Sequence, residues 1–229
     1  FGKVTGLGRG KGGHMHLFDP AHKFSCSGII GASLPPACGA ALAAKKRGKD
    51  WVAVAFFGDG AANQGSFHES LNLAALQKIP VIYIIENNGY SMGTSLSRSS
   101  VYKQSLAARA EGYDIPWDIV NGEDLYEVRA KTQVAIDRAH KESYPTVLEI
   151  NTYRYYGHSV ADANAKKYRS PEEIERYKTH HDPIQLWKRR LIEEGILTEE
   201  QYEAIDTEAK NEAAESVRFA EESPFPSES

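Results

Sequence analysis

The chain has 229 residues and a formal net charge of −4, and its lysines and arginines are scattered along its length. This length suits one large α/β domain with an ample core, and the charge gives no reason to expect nucleic acid as a partner. No apolar run reaches the roughly 18 residues of a membrane span, so we predict a soluble protein that binds no membrane. Cys26 and Cys38 lack metal-ligand spacing, and reduced thiols in an intracellular compartment are expected.

The first part of the chain is predicted to be a loop followed by a helix. Residues 6–24 are rich in glycine and show no hydrophobic periodicity, which indicates a loop. This loop is not a P-loop, since it lacks the Lys-Ser/Thr ending. Residues 35–46 are rich in alanine and predict a helix that ends before Gly48. Its small residues suit either an intersubunit contact or tight packing on the sheet, and both interpretations stay open here.

The stretch between residues 51 and 88 predicts a βαβ unit. Residues 51–57 and residues 80–85 are apolar without interruption, which is typical of parallel strands buried on both faces. Between them, Phe67, Leu71 and Ala74 recur at helical spacing. A right-handed crossover of this kind brings the carboxyl ends of both strands to the same edge of the sheet.

Polar side chains follow both of these strands. Gly58-Asp59-Gly60 comes after the first strand, and Asn87-Asn88 comes after the second. Alone, Asp59 is most simply a helix cap and Asn88 a turn residue. Together, at the edge where open α/β sheets bind ligands, their oxygens suit Mg²⁺ that also carries phosphates. The glycines and the following helix start admit an anion, so the pattern predicts a site for a metal-bridged diphosphate.

The rest of the chain adds strands, a long loop and helices. We predict a helix over residues 103–112, a strand at 117–121, a helix with Leu125, Val128, Ala135, Ile136 and Ala139 on one face, and a strand at 146–152. Residues 153–169 are polar and too long for a simple connection, which is typical of a functional loop.

The last part of the chain is predicted to be helical. Helices begin after Ser170, at Asp182-Pro183 and at Thr198. The last helix carries an apolar stripe that docks on the parent domain or on a partner subunit, made of Tyr202, Ile205, Ala209, Ala213, Val217 and Ala220. We therefore expect residues 1–170 to form an α/β domain with a parallel sheet and helices on both faces, and residues 171–229 to form its helical extension.

Two sequence motifs carry a specific resemblance to a known protein family. Residues 58–65 (GDGAANQG) and 86–94 (ENNGYSMGT) resemble the α subunit of the E1 component of 2-oxo acid dehydrogenase complexes, most closely that of pyruvate dehydrogenase. The GDG word followed by Asn87-Asn88 is similar to the thiamine diphosphate motif of that family. The likeness runs from about Gly8 to Pro226. Because the family has a further helical segment before this point, the resemblance implies a sequence truncated at its N-terminus.

The resemblance implies roles for residues on both strand ends. Asp59, Asn88 and the main-chain carbonyl of Tyr90 would bind Mg²⁺, and the amides of Gly60 and Ala61 would hold the diphosphate of thiamine diphosphate. These five residues lie in the two words that carry the resemblance.

Three further residues receive roles from the resemblance. Gly28 and Ile30 would give main-chain hydrogen bonds to the aminopyrimidine ring. His158, in the word Gly157-His158-Ser159, would lie near the reacting carbon of the cofactor and donate a proton or a hydrogen bond.

The activity implied is the thiamine diphosphate-dependent oxidative decarboxylation of pyruvate, with acyl transfer to a lipoyl domain of E2. The glutamate that activates the pyrimidine belongs to the β subunit in this family. We therefore expect an α₂β₂ heterotetramer and no activity from this chain alone. Two alternatives remain: an acetoin or branched-chain 2-oxo acid dehydrogenase E1 α subunit, and a non-catalytic diphosphate-binding α/β module. The word from Tyr155 to Ser159 favours pyruvate.

Two features of the long loop look bacterial. Lys167 stands where the animal family members have their second phosphorylated serine, and the loop has one residue more than the animal form. The cytoplasm of a bacterium is therefore the expected location, or the mitochondrial matrix if the source is eukaryotic.

Overall fold

The computed structural model describes residues 1–101, 105–162 and 164–227. The strands are β1 (Leu17–Asp19), β2 (Phe24–Cys26), β3 (Ala53–Gly58), β4 (Val81–Asn87), β5 (Tyr90–Ser91), β6 (Thr94–Ser95), β7 (Trp117–Asn121) and β8 (Thr146–Asn151). The α-helices are α1 (Leu34–Lys46), α2 (Gly65–Gln77), α3 (Leu96–Ser99), α4 (Leu125–Glu142), α5 (Pro171–His180), α6 (Pro183–Glu193) and α7 (Glu199–Glu222). Short 3₁₀ helices span Ala61–Asn63, Ala107–Tyr113 and Ala165–Lys167.

The main sheet is parallel, and its strand order is β3-β4-β8-β7. Gly58 at the end of β3 lies opposite Glu86 of β4, and Asn87 of β4 lies opposite Asn151 of β8. The carboxyl ends of these three strands therefore meet at one edge. This arrangement confirms the predicted parallel sheet and the βαβ unit around α2. The strand predicted at residues 51–57 is shifted in the structure, where β3 begins at Ala53 and ends at Gly58.

Alternate residues of the central strands pack into two separate cores. Tyr83 and Ile85 of β4 pack with Phe67 and Leu71 of α2, on the face that α1 also covers. Their neighbours in β4 point to the opposite face, where they pack with Val120, Ala135 and Leu148 under α4. Helices therefore cover both faces of the sheet, as expected for parallel strands. One side of α1 contacts β3, and Ala41 and Ala44 are buried there, so these small residues serve tight packing on the sheet. Ala40 and Ala43 are exposed, and an intersubunit contact through them stays a prediction.

Two segments differ from the sequence predictions. The expected loop at residues 6–24 contains β1, which pairs with β2 in an antiparallel hairpin, and Asp19 Oδ1 accepts hydrogen bonds from the Ala21 and His22 amides in the turn. Strands of three residues are too short to show periodicity, so the loop prediction was wrong here. The helix expected at residues 103–112 is a 3₁₀ helix, Ala107–Tyr113, and residues 103 and 104 lie outside the described residues.

The helices of the last part begin where the sequence predicts. Ser170 Oγ accepts a hydrogen bond from the Glu173 amide at 3.1 Å, and Asp182 Oδ1 accepts one from the Ile184 amide at 3.0 Å. Thr198 forms a reciprocal capping box with Gln201. The apolar stripe of α7 stays largely exposed in the single chain, since Ile205 is 57% exposed and Val217 is 44% exposed.

Contacts between Cα atoms group the chain into two compact units. One unit joins Phe1–Ile29 with Lys188–Ser229, and the other is Ile30–Trp187, which holds the main sheet. Within the first unit, the Val4 amide donates to the Pro224 carbonyl at 3.0 Å. The division at residue 170 that the sequence suggested stays a prediction. Among the helices that the structure describes, none combines the length and the hydropathy needed to span a membrane.

Candidate functional site

The segments that follow β3 and β4 lie directly against each other. An ideal Cβ placed on Gly60 would lie 2.8 Å from the Cβ of Ser91 and would also collide with the Ser91 hydroxyl. Gly60 follows Asp59, and Ser91 follows Asn88 and Tyr90 in the adjacent segment. The parallel pairing of the two strands thus brings together the two polar motifs, residues 58–65 and 86–94, that the sequence analysis identified. This contact also requires that residue 60 have no side chain.

Asp59 carries a buried carboxylate with an unpaired oxygen. The residue is 1% exposed, and its Oδ2 atom has no hydrogen-bond partner among the described residues. Burial raises the pKa of the Asp59 carboxyl, and the nearby positive charges of Arg154 and Arg169 act in the opposite direction. An unpaired buried carboxylate oxygen is costly unless a cation or a donor satisfies it. The residue therefore fits the role of a metal ligand.

Asn88 and Tyr90 lie on a tight turn after β4. Asn88 Oδ1 accepts a hydrogen bond from the Tyr90 amide at 3.1 Å, which uses one of its two lone pairs and leaves the other for a ligand. Gly89 between them has a φ of +81°, a conformation that favours glycine. Among the described residues, the Tyr90 carbonyl accepts one long hydrogen bond, of 3.4 Å, from Arg154 Nη1. Both oxygens retain the capacity to coordinate a cation.

The chemistry of these oxygens indicates which metal they suit. Within the described part of the chain, no group of three or more His, Cys, Asp or Glu side chains could hold a metal ion. A metal at this site would have one carboxylate together with neutral amide and carbonyl oxygens. Zinc prefers histidine and cysteine, whereas Mg²⁺ takes one or two carboxylates together with phosphates and water. The donor set therefore fits Mg²⁺ with a diphosphate.

Gly60 and Ala61 lie at the start of the 3₁₀ helix Ala61–Asn63, which leads into α2. The first amides of a helix have no partner within the helix. Their predicted contacts with a diphosphate are compatible with this position and remain predictions.

Two arginines that the sequence analysis missed attach the long loop to the turn after β4. Arg154 donates hydrogen bonds to the Met92 carbonyl at 2.7 Å and to the Tyr168 hydroxyl at 2.9 Å. Arg169 is buried, and its Nη2 atom donates to the Asn88 carbonyl at 2.6 Å. The loop between residues 153 and 169 is therefore held at both ends against the segment that carries Asn88 and Tyr90.

Aromatic rings surround the Arg169 guanidinium. Its Cζ atom lies 3.8 Å from the centre of the Tyr153 ring and 4.7 Å from that of Tyr90, and its Nη1 atom is 3.0 Å from Glu173 Oε1. Cation–π contacts strengthen when the cation is desolvated, as here. The Tyr-Arg pairs at residues 153–154 and 168–169, one at each end of the loop, are the signal in the sequence that could have identified this cluster.

His158 lies on the exposed part of the same loop. Its amide donates a hydrogen bond to Asp162 Oδ2 at 3.1 Å, and this bond lowers the pKa of the Asp162 carboxyl. Asp162 Oδ2 also accepts from the Tyr168 hydroxyl at 3.1 Å. The backbone at His158 is therefore connected to the arginine cluster through Asp162 and Tyr168. The catalytic role of the His158 side chain remains a prediction.

Comparison with known proteins identifies the family. The sequence profile of the family described as "Dehydrogenase E1 component" matches residues 1–229. The chain belongs to this family.

Several relatives are named "Pyruvate dehydrogenase E1 component subunit alpha". The Rhizobium meliloti protein is 44% identical over 226 residues, which are 98% of this chain and 64% of the relative. The Zymomonas mobilis protein is 42% identical over 99% of this chain and 63% of the relative. The Rickettsia felis protein is 42% identical over 99% of this chain and 69% of the relative. The resemblance drawn from the two sequence words is confirmed, and this E1 chain spans about two thirds of the length of these relatives.

The boundary between the two compact units falls between the two residues predicted to contact the aminopyrimidine. Gly28 belongs to the first unit of this E1 chain, where an added Cβ would lie 2.9 Å from Met15 Sδ. Ile30 belongs to the second unit and is 54% exposed. The next residue, Gly31, accepts a hydrogen bond from Ser66 Oγ of α2 at 3.3 Å, so the main chain after Ile30 lies beside the start of that helix. The proposed roles of both residues remain predictions.

An open cleft gives access to part of the site in this E1 chain. It lies at the carboxyl ends of β4 and β8, and its lining includes Asn88, Tyr90, Tyr153 and Arg169. Asp59 is buried and does not line it. Two of the three predicted metal ligands are therefore at a surface that a small molecule can reach.

We expect Gly60→Ala to destabilise the full-length protein, because the new methyl group would collide with Ser91. Overpacking of this kind costs about 1–3 kcal/mol in the free energy of unfolding, measured by urea denaturation. Gly58→Ala is the matched control, since an added Cβ there meets nothing within 4 Å. Ser91→Gly should restore most of the stability of Gly60→Ala, and an equal effect of both alanine variants would contradict the described contact.

Proposed function

We propose that this chain is the α subunit of a pyruvate dehydrogenase E1 component that uses thiamine diphosphate and Mg²⁺. The observation that carries the proposal is the unpaired, buried Asp59 oxygen at the meeting point of β3 and β4, in a chain of the E1 family. The names of the relatives reported above support pyruvate as the substrate. The reaction is the oxidative decarboxylation of pyruvate, with acyl transfer to a lipoyl domain of E2.

In this proposal, the chain supplies position and charge. Asp59, the Asn88 amide oxygen and the Tyr90 carbonyl hold Mg²⁺, and the amides of Gly60 and Ala61 bind the diphosphate. When bound, thiamine diphosphate supplies the carbon nucleophile and the electron sink that decarboxylation of a 2-oxo acid needs. The parallel strands fix the metal-binding oxygens in place, so little reorganisation is needed at the site.

The long loop contributes the proposed proton donor. Arg154 and Arg169 hold the loop against the metal-binding turn through main-chain carbonyls. His158, on that loop, then donates a proton or a hydrogen bond to the substrate. A histidine suits this task near neutral pH. The exposed position of His158 in the single chain leaves it free to meet a substrate.

The proposal includes a β subunit. The relatives named above carry the designation subunit alpha, which supports a multi-subunit assembly. The exposed apolar residues of α7 offer surface for such a contact, because large apolar patches on soluble proteins commonly mark interaction sites. We propose an α₂β₂ heterotetramer, and the similarity to the Rhizobium and Zymomonas proteins supports a bacterial cytoplasm as its location.

Co-expression of the full-length protein with its β partner tests the proposed function directly. We expect decarboxylation of pyruvate and reductive acylation of a lipoyl domain by the assembled protein, and neither reaction by the α chain alone. Faster turnover of acetoin or of branched-chain 2-oxo acids would overturn the substrate assignment. A stable monomer without activity, in the presence of the β chain, would favour a non-catalytic diphosphate-binding module.

We expect Asp59→Asn to weaken Mg²⁺-dependent binding of thiamine diphosphate by at least about 100-fold, because it removes the only charged ligand. The fold should persist without metal, since the change also removes a buried charge. Calorimetry on the assembled protein measures the binding, and urea denaturation measures the stability. Asp118→Asn is the control. Asp118 Oδ2 lies 2.5 Å from Lys131 Nζ, and this ion pair is outside the site, so the substitution should leave the affinity for thiamine diphosphate unchanged. Unchanged affinity in Asp59→Asn would refute the ligand assignment.

We expect His158→Ala to retain cofactor binding and to lose about 100-fold in kcat, which is the scale of general acid–base contributions. Val160→Ala is the matched control on the same loop, because Val160 is 97% exposed. Steady-state rates and calorimetric titrations of the assembled protein separate the two effects. A parallel loss of binding and turnover in His158→Ala would mean that the residue orders the loop.

A further inference from the structure

Glu149 is a buried acidic residue that none of the roles above uses. It lies in the central strand β8, it is 2% exposed, and its neighbours across the sheet are Ile85 and Ile119. A carboxylate at such a position is costly unless hydrogen bonds satisfy its oxygens. The hydrogen-bond partners of Glu149 therefore indicate its role.

The two oxygens of Glu149 contact two different segments. Oε1 accepts a hydrogen bond from Asn87 Nδ2 at 2.6 Å. Oε2 accepts from the Ala107 amide at 3.1 Å and from the Ser105 hydroxyl. One oxygen thus faces the end of β4, and the other faces the segment that leads into the 3₁₀ helix Ala107–Tyr113.

The bond to Asn87 fixes the orientation of that side chain. A carboxylate is only an acceptor, so the amide nitrogen of Asn87 must face Glu149 and its oxygen must face away. Asn87 Oδ1 then accepts a hydrogen bond from the Gly89 amide at 3.0 Å. The main-chain carbonyl of Asn87 accepts from the Thr152 amide at 2.9 Å. These bonds hold the backbone on both sides of Asn88 and directly before Tyr90.

We propose that Glu149 is a positioning residue of the metal site, which sets the turn carrying Asn88 and Tyr90 through the side chain of Asn87. This inference rests on the proposed function, because it assumes that Asn88 and Tyr90 coordinate Mg²⁺. Glu149 contacts the turn through one neutral side chain and is not itself a ligand. Loss of outer hydrogen-bond partners of this kind commonly costs 10–100-fold in metal affinity.

The test exchanges the charged and neutral members of the Glu149–Asn87 pair. In Glu149→Gln, one carboxylate oxygen is replaced by an NH₂ group, which cannot accept a hydrogen bond. This NH₂ group must therefore face another donor, either Asn87 Nδ2 or the Ala107 amide. In Asn87→Asp, two carboxylates face each other. In the double variant, the new amide nitrogen on β8 donates to the new carboxylate on β4, whose other oxygen accepts from the Gly89 amide. The net charge of the double variant equals that of the original protein, and every bond that the single variants break is restored.

Mg²⁺ titrations of the protein assembled with its β partner, at a fixed concentration of thiamine diphosphate, provide the first measurement. We expect each single variant to bind Mg²⁺ at least about tenfold more weakly. The double variant should recover to within about threefold of the original affinity, because the two changes are coupled. Ser105→Ala is the matched control, since it removes a bond to the other Glu149 oxygen and should leave the affinity for Mg²⁺ unchanged.

Hydrogen exchange at the Gly89 amide, without metal or cofactor, provides the second measurement. It should be faster in Glu149→Gln than in the original protein, and slow again in the double variant. Unchanged Mg²⁺ affinity and unchanged exchange in a folded Glu149→Gln would overturn the inference, as would an equal loss of affinity in Ser105→Ala. If Glu149→Gln fails to fold, a double variant that folds and binds Mg²⁺ supports the inference, and one that folds without binding opposes it. If the original protein binds no Mg²⁺, the proposed function fails, while the exchange rates still report whether Glu149 holds the turn.

Discussion

The candidate site depends on one buried group, the carboxylate of Asp59, which follows the first of two paired parallel strands. Parallel pairing of β3 and β4 carries the chain from each strand to the same edge, and the close approach of Gly60 to Ser91 joins the two segments there. Burial of a carboxylate with one unpaired oxygen opposes folding, and the packed sheet on either side must compensate for it. A cation that binds the oxygen removes this cost, so the fold itself contributes to the affinity of the site for a metal.

The two arginines near Asp59 supply positive charge without occupying its free oxygen. Both favour the ionised form of the Asp59 carboxyl. Yet the Arg154 bonds go to the carbonyls of Tyr90 and Met92, and the Arg169 guanidinium bonds to the Asn88 carbonyl and to Glu173. A direct salt bridge to Asp59 would compete with a metal for the same atom. Because the guanidiniums are held by main-chain carbonyls and tyrosine rings, the carboxylate stays available while the loop is fixed in place.

The sequence was informative where structure is local and periodic. Unbroken apolar runs at residues 81–85, and Phe67 and Leu71 at helical spacing, were enough to predict the βαβ unit and the meeting of the segments that follow β3 and β4. The hairpin of β1 and β2 was missed because strands of three residues carry no pattern. The contacts of Arg169 and Glu149 were missed for another reason, since their partners lie 81 and 62 residues away and only the folded chain brings them together. Such long-range polar pairs leave no periodic trace in a single sequence.

The placement of Glu149 behind the proposed ligands affects how the site would bind Mg²⁺ and a diphosphate. If Glu149 coordinated Mg²⁺ directly, two carboxylates would neutralise the ion, and a diphosphate would add its negative charge to a neutral centre. With Glu149 bonded to Asn87 instead, the proposed site would have Asp59 as its one carboxylate ligand and would leave Mg²⁺ with net positive charge. That charge would attract the diphosphate, and the diphosphate in turn would supply the ligands that the protein does not. Under the proposed function, metal and diphosphate would therefore stabilise each other at this edge of the sheet, and neither would bind as tightly alone as with the other.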